Sequence, residues 1–179
     1  MSQKILAFGA SNSKNSINKK FATFAAKQLV NVTITLVDLN DFEMPIYSVD
    51  REAASGIPDL AVQFKQHIKE ADKIIISFAE HNGAYTTAFK NIMDWMSRME
   101  GSLWEDKPML LLSTSPGGRG GKSVLDLATN SFKFMSKGSL HSFSLPVFQT
   151  NFSEEQGITD KVLAEEFEKQ LKAFSDLLS

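Results

Sequence analysis

Lys73-Ile74-Ile75-Ile76-Ser77-Phe78 runs into Ala79-Glu80-His81-Asn82-Gly83-Ala84-Tyr85, and that into Thr86-Thr87-Ala88-Phe89-Lys90-Asn91-Ile92-Met93-Asp94-Trp95-Met96-Ser97-Arg98. The first six residues are apolar and β-branched without alternation, which reads as a strand covered on both faces. In the last segment Phe89, Ile92, Met93 and Met96 recur at helical spacing and face the sheet, while Trp95 and Arg98 point elsewhere and are left for a partner or a ligand. The polar segment between them then lies at the carboxyl end of a buried strand, where open α/β sheets place ligands.

The same strand, polar loop, helix order repeats along the chain. Ile5-Leu6-Ala7-Phe8-Gly9 is a short strand, Ala10 to Ser16 is small and polar, and Ile17, Phe21, Phe24, Ala25 and Leu29 mark a helix that begins near Ser16. Val32 to Asp38 gives a second strand, and a long connection through Met44-Pro45-Ile46-Tyr47 and Gly56-Ile57-Pro58 leads to a helix with Leu60, Phe64, Ile68 and Ala71 inward. Met109 to Thr114 is a fourth, central strand, followed by Ser115-Pro116-Gly117-Gly118-Arg119-Gly120-Gly121 and a helix with Val124, Leu127, Ala128 and Phe132 inward. Ser139 to Pro146 is amphipathic and reads as an outer strand, and Leu163, Phe167, Leu171, Phe174 and Leu178 line the last helix. Five strands alternating with helices predict one α/β domain over residues 1–179, a three-layer sandwich around a parallel sheet. Right-handed crossovers favour the flavodoxin-like strand order 2-1-3-4-5.

At 179 residues and 42% hydrophobic the chain can bury one full core. A formal charge of -2 without a long basic run argues against nucleic acid and against an electrostatically held membrane surface. The chain has no cysteine, which removes disulfides, thiolate metal sites and a cysteine nucleophile together, so any redox chemistry belongs to a borrowed cofactor. The apolar stretch at Ile5 is too short for a signal peptide and nothing later approaches membrane-spanning length, so the cytoplasm is the expected compartment. His67, His81 and His141 fall on different elements without a carboxylate cluster, which argues against a metal site.

In a parallel sheet the strand-to-helix loops leave on one side, so three of them should converge. The first offers the hydroxyls of Ser11, Ser13 and Ser16, the amide of Asn18 and free N–H groups at a helix start, a set that suits a phosphate dianion; the plainer reading is that Ser16 only caps the helix. Without Gly-x-Gly-x-x-Gly, a phosphomonoester fits better than a pyrophosphate. The glycine-rich loop lets backbone approach a flat ligand, or is simply a flexible turn. Its tail, Gly121-Lys122-Ser123, mimics a P-loop, but Pro116 stands where that motif needs glycine. Glu80 could serve as a base, yet a loop glutamate more often is solvated or pairs with a helix end. A phosphate nest beside two backbone-rich loops describes a site for FMN at the switch point of such a sheet.

With Ser11, Ser16 and Asn18 in the first loop, Met44-Pro45-Ile46-Tyr47, Glu80-His81-Asn82-Gly83-Ala84-Tyr85 with Lys90-Asn91 and Asp94-Trp95, and Ser115-Pro116-Gly117-Gly118 with Gly120-Gly121, the chain resembles the NADPH-dependent FMN reductase family over nearly its whole length. That family includes quinone, chromate and azo-compound reductases. The resemblance implies a homodimer or homotetramer that moves a hydride from NADPH or NADH through FMN to a small electron acceptor, such as a quinone or free flavin, in ping-pong order. It implies cofactor contacts from Ser11, Ser13, Ser16, Ile17 and Asn18 to the phosphate and from Ala79, Glu80, His81, Asn82, Gly83, Ser115, Pro116, Gly117, Gly118 and Gly121 around the ring, with no side chain acting as catalyst. Two departures stand out. Ser13 replaces the arginine usual beside the phosphate, leaving Lys14 or backbone to balance the charge, and Ala79-Glu80-His81-Asn82 replaces Pro-Glu-Tyr-Asn. A one-electron carrier and a flavin-free binding domain of the same fold are the competing readings; the mild charge and serine-rich loop speak against the carrier. The stripe Met93, Trp95, Met96, Met99 and Trp104 reads mainly as core and in part as a subunit interface.

Overall fold

The computed structural model describes residues 2–176, so Leu178 of the last helix lies outside the described residues. Its elements run β1 (Gln3–Ala10), α1 (Ile17–Lys27), β2 (Val32–Val37), a 3₁₀ turn (Leu39–Phe42), α2 (Val49–Ser55), α3 (Asp59–Glu70), β3 (Lys73–Phe78), α4 (Thr87–Met96), β4 (Met109–Thr114), α5 (Lys122–Met135), β5 (Leu140–Leu145), α6 (Phe148–Asn151), β6 (Phe152–Ser153), β7 (Gly157–Ile158) and α7 (Lys161–Ser175). The first five strands form one parallel sheet in the order β2-β1-β3-β4-β5. The flavodoxin-like order expected from the sequence is the order found.

Both central strands are buried along their whole length, which is why they carry no polar alternation. Alternate residues feed two cores. Leu6, Phe8, Ile74, Ile76 and Phe78 meet α3, α4 and α5 on one side, and Ile5, Ala7, Ile75, Leu110 and Leu112 meet α1 and α7 on the other. Gly9 sets how closely α1 lies on β1, because a Cβ there would stand 2.4 Å from the Lys19 backbone nitrogen. At the opposite end of the sheet the buried Lys73 donates from Nζ to the carbonyls of Phe174 (3.2 Å) and Ser175 (2.9 Å), closing the last turn of α7. Burial pushes the Lys73 ammonium down, against the pull of Asp176 and Asp72.

Several expectations need correction. The connection after β2 contains a 3₁₀ turn and α2, and α2 buries none of its residues, so no apolar stripe announces it. Leu127 is 39% exposed and Leu125 takes its inward place on α5. Between β5 and α7 the chain inserts α6 and a small antiparallel hairpin, β6 with β7. Trp95 is not left for a partner: it is 1% exposed, meets the Tyr47 ring edge-on at 5.0 Å, and donates from Nε1 to the Pro45 carbonyl at 2.7 Å. Arg98 is likewise engaged, with its Nε 2.9 Å from Glu52 Oε2 and its guanidinium 6.0 Å from the centre of the Tyr47 ring. Met93, Met96 and Trp104 are buried in one core, as the main reading of the stripe has it, while Met99 is half-buried.

Candidate functional site

The three loops that follow β1, β3 and β4 share the carboxyl rim of the sheet, and side chains tie them to one another. Asn18, in the first turn of α1 and 3% exposed, reaches the end of β4: its Nδ2 donates to the Thr114 carbonyl at 3.1 Å, and its Oδ1 accepts from the Thr114 N–H at 3.0 Å and from the Ser77 hydroxyl at 2.7 Å. Thr86, which caps α4, donates its hydroxyl to the Ala10 carbonyl at 3.0 Å. Glu80 Oε2 accepts from the Val124 N–H at 3.0 Å. The first loop is therefore fixed to β4, the second to β1, and the second to the helix after the third.

In the first loop Ser16 does cap α1, its Oγ accepting from the Lys19 N–H at 3.2 Å, and Ser11 Oγ accepts from the Ser13 N–H at 3.2 Å. Each of those oxygens still has its own hydrogen to donate, and Ser13 stands exposed between them. Among the described residues no acceptor takes the N–H groups of Ile17 and Asn18, two of the unsatisfied donors that every helix start presents. A phosphate dianion meets that need. The Asn18 side chain, by contrast, is spent on the clasp rather than turned toward a ligand. Lys19 also faces away, pairing with Asp38 at the end of β2. Burial would raise the Asp38 carboxyl, but the Lys19 ammonium and the backbone and side-chain amides of Asn40 outweigh it and hold it below the usual carboxylate range. Lys14, exposed in the loop, is the cation left beside the serines.

The second loop is a miniature hairpin. His81 and Ala84 exchange both backbone hydrogen bonds, at 3.0 and 3.1 Å, across Asn82 (φ 53°) and Gly83 (φ 77°). Two successive left-handed residues of the type Asn-Gly make the tight turn whose twist matches paired strands. The His81 N–H is thereby spent inside the turn, so the cofactor contact that the resemblance implies for His81 cannot come from its N–H; among the described residues the N–H groups of Glu80, Asn82 and Gly83 find no acceptor. The Asn-Gly pair was the readable signal for this hairpin. Tyr85, just past it, packs on Phe78 at 5.7 Å and Phe89 at 5.3 Å, and burial pushes its hydroxyl up.

In the third loop the glycines divide by role. Gly121 takes φ 73° and stands so close to Ser113 that an added Cβ would lie 3.1 Å from the Ser113 Cβ. Gly117 and Gly118 differ: a Cβ at Gly117 would approach only Ser115 Oγ, at 3.9 Å, and one at Gly118 nothing within 4 Å. Neither residue needs the left-handed region, and among the described residues neither N–H has an acceptor. Their carbonyl neighbours anchor the loop instead, Gly117 O accepting from Val147 N–H and Ser115 O from Phe148 N–H, both at 3.1 Å. Pro116 is exposed at the tip and Ala79 is half-buried at the exit of β3.

A parallel sheet in this order, with the loops after β1, β3 and β4 meeting at its carboxyl rim, is the flavodoxin-like arrangement, a class of fold that places its ligands at that rim. The family model of NADPH-dependent FMN reductases matches residues 3–157, and the chain belongs to that family. FMN and NAD(P)H are the cofactors of this family of oxidoreductases. The chain is 31% identical over 135 residues to an NADPH:quinone oxidoreductase of Arabidopsis thaliana, covering 72% of this chain and 66% of that protein. It is 34% identical over 122 residues to a 2-hydroxy-1,4-benzoquinone reductase of a Burkholderia species, covering 67% of this chain and 64% of that protein. The chain thus spans about two thirds of the length of these two relatives. Among solved structures it superposes on FerB, a flavoenzyme NAD(P)H:(acceptor) oxidoreductase from Paracoccus denitrificans, with TM-score 0.77 at 23% identity, covering 97% of this chain and 96% of the other.

Proposed function

We propose that this chain holds FMN at the carboxyl rim and, with NADPH or NADH as donor, reduces a small acceptor such as a quinone or free flavin. The observation that carries the reading is the pair of unpartnered N–H groups at Ile17 and Asn18, set among Ser11, Ser13 and Ser16 on the same rim as two glycines the fold itself does not require. The residues present fit the group. The nest offers hydroxyl and backbone donors to a phosphate, with Lys14 standing in for the absent arginine, and the open flank of Gly117 and Gly118 admits a planar ring against bare backbone. The N–H groups of Glu80, Asn82 and Gly83 would hold one ring edge and those of Gly117 and Gly118 another.

Bound FMN supplies the hydride acceptor and the electron donor in one ring system. The protein's part is to grip the phosphate, fix the ring edges and leave one face open, so that donor and acceptor occupy that face in turn and the kinetics are ping-pong. Glu80 is engaged with α5, so no acid or base is assigned. The reading carries with it a cytoplasmic setting and a homodimer or homotetramer, which sedimentation of the purified chain with and without FMN tests. Among the described residues no helix is long and apolar enough to cross a membrane.

The decisive experiment is an absorbance titration of the purified protein with FMN followed by anaerobic addition of NADPH or NADH. The expected outcome is one FMN per chain and bleaching of the flavin band by at least one of the two nucleotides, with recovery on adding a quinone. Protein that takes up no FMN, or that stays yellow with both nucleotides, refutes the reading.

A further inference from the structure

Helix α5 lacks a cap of its own. α1, α2, α4 and α7 each begin with a side chain at the N-cap that accepts from the first turn, namely Ser16, Ser48, Thr86 and Asp160. α5 begins at Gly121, in left-handed backbone, with no side-chain cap. No capping side chain fits there, since φ 73° and the Ser113 Cβ 3.1 Å away both select glycine. The N–H that such a cap would satisfy belongs to Val124, the third residue of the helix. It is satisfied from another loop, by Glu80 Oε2 at 3.0 Å, across 44 residues of sequence. A carboxylate at a helix start is also favoured by the partial positive charge there.

Glu80 sits between the end of β3 and the His81–Ala84 hairpin, and Val124 lies three residues past the glycine loop. Their bond joins the two loops that flank the rim. We propose that Glu80 is a positioning residue whose carboxylate, by capping α5 from the neighbouring loop, fixes the gap between the hairpin and the Gly117–Gly118 backbone into which the flavin ring fits. The role rests on the flavin reading given above, and it acts through reach rather than through charge at the ring. The bond makes Glu80 part of the frame and leaves its carboxyl out of proton transfer.

Three substitutions separate reach from charge. Glu80→Gln keeps the length and an acceptor oxygen; Glu80→Asp keeps the charge but is one methylene short; Glu80→Ala loses both. The first readout needs no flavin: amide hydrogen exchange at Val124 in flavin-stripped protein, expected to speed up in Glu80→Ala and Glu80→Asp and to stay near wild type in Glu80→Gln. The second is FMN titration by flavin fluorescence, where Ala and Asp should raise Kd about tenfold and Gln no more than about threefold, since a hydrogen bond to a fixed acceptor is worth about that ratio. Unchanged exchange at Val124, or FMN affinity that follows charge rather than length, overturns the role of Glu80 alone. Wild-type protein that binds no FMN overturns the flavin reading and this role with it, so the two failures are told apart by the wild-type titration. Should Glu80→Ala not fold, the contrast between Gln and Asp decides the question.

Discussion

Replacing Asn18 by alanine removes three buried hydrogen bonds at once, and the structure sets the size of the effect. The Ser77 hydroxyl and the N–H and carbonyl of Thr114 all lose their partner in a site where Asn18 is 3% exposed. Each such bond contributes about 1 kcal/mol net, and a stranded buried donor costs at least that, so Asn18→Ala should destabilise the protein by about 3 kcal/mol. For a chain of this size that is a fall in Tm of about 6 to 12 °C. Asn18→Asp distinguishes the clasp from a mere space-filler. It keeps the two bonds into Oδ1, but it turns the Nδ2 contact with the Thr114 carbonyl into an oxygen–oxygen repulsion and puts a negative charge beside the anion nest. Asp should therefore cost stability and weaken FMN binding more than Ala does, while Ala should act mainly on stability.

Thermal melts of flavin-stripped protein and FMN titrations on the same three proteins make the measurement. Adding Ser77→Ala completes a double-mutant cycle, and the pair should show coupling because the two side chains share a bond. An Asn18→Ala melt within about 1 °C of wild type would refute the reasoning, since the clasp would then carry no weight in solution.

Gly9→Ala should destabilise by about 2 to 3 kcal/mol, because its Cβ would stand 2.4 and 2.7 Å from the nitrogen and Cα of Lys19, backbone that cannot swing aside; chemical denaturation reads it directly. Gly118→Ala meets nothing within 4 Å and should leave stability within about 0.5 kcal/mol of wild type while raising the FMN Kd, a dissociation of the two properties that a melt and a titration together detect. Trp95→Phe loses the 2.7 Å bond to the Pro45 carbonyl and should cost about 1 kcal/mol, with limited proteolysis accelerated between residues 44 and 56. For His141, burial pushes the imidazole down, and its Nε2 is buried with no hydrogen-bond partner among the described residues. Below about pH 6.5 the unfolded chain takes up a proton at this site that the folded chain resists, so stability is full above that pH and is lost as pH falls toward the lowered value. His141→Gln should flatten the slope of Tm against pH between about 5 and 7; an unchanged slope would refute the assignment.

What could be read from sequence was what depends on neighbours along the chain. Buried runs such as Ile74 to Phe78 and Met109 to Leu112, and helical stripes such as Phe64 and Ile68, announce themselves because their periodicity is local, and the rule of right-handed crossovers then favoured the sheet order. What was missed depends on residues far apart. Asn18 looked like a ligand amide because nothing near it in sequence reveals Thr114, 96 residues on. Trp95 looked unpartnered because its wall is the segment Pro45 to Tyr47, some fifty residues earlier, folded against α4 by Asn91, whose Oδ1 accepts from the Tyr47 N–H at 2.8 Å. α2 was passed over because a helix with no buried residue leaves no stripe.

The glycine-rich loop brings both kinds of information to one place. Composition alone presented four equivalent glycines, and the structure separates them by cause. Gly120 and Gly121 are fixed by the fold, the one with its missing Cβ 2.5 Å from Ser144 Oγ and the other by its left-handed turn beside Ser113, so substitution there disturbs β4, β5 and the start of α5. Gly117 and Gly118 meet nothing closer than 3.9 Å among the described residues, and on the flavin reading proposed above that open side is where a flat ring would come close to bare backbone. Substituting the first pair should lower Tm with or without FMN, whereas substituting the second should act only where FMN is present. A loop of flexible glycines with no ligand would show no such division, and equal effects of Gly118→Ala and Gly121→Ala on flavin-stripped protein would end the argument for a ring-binding rim.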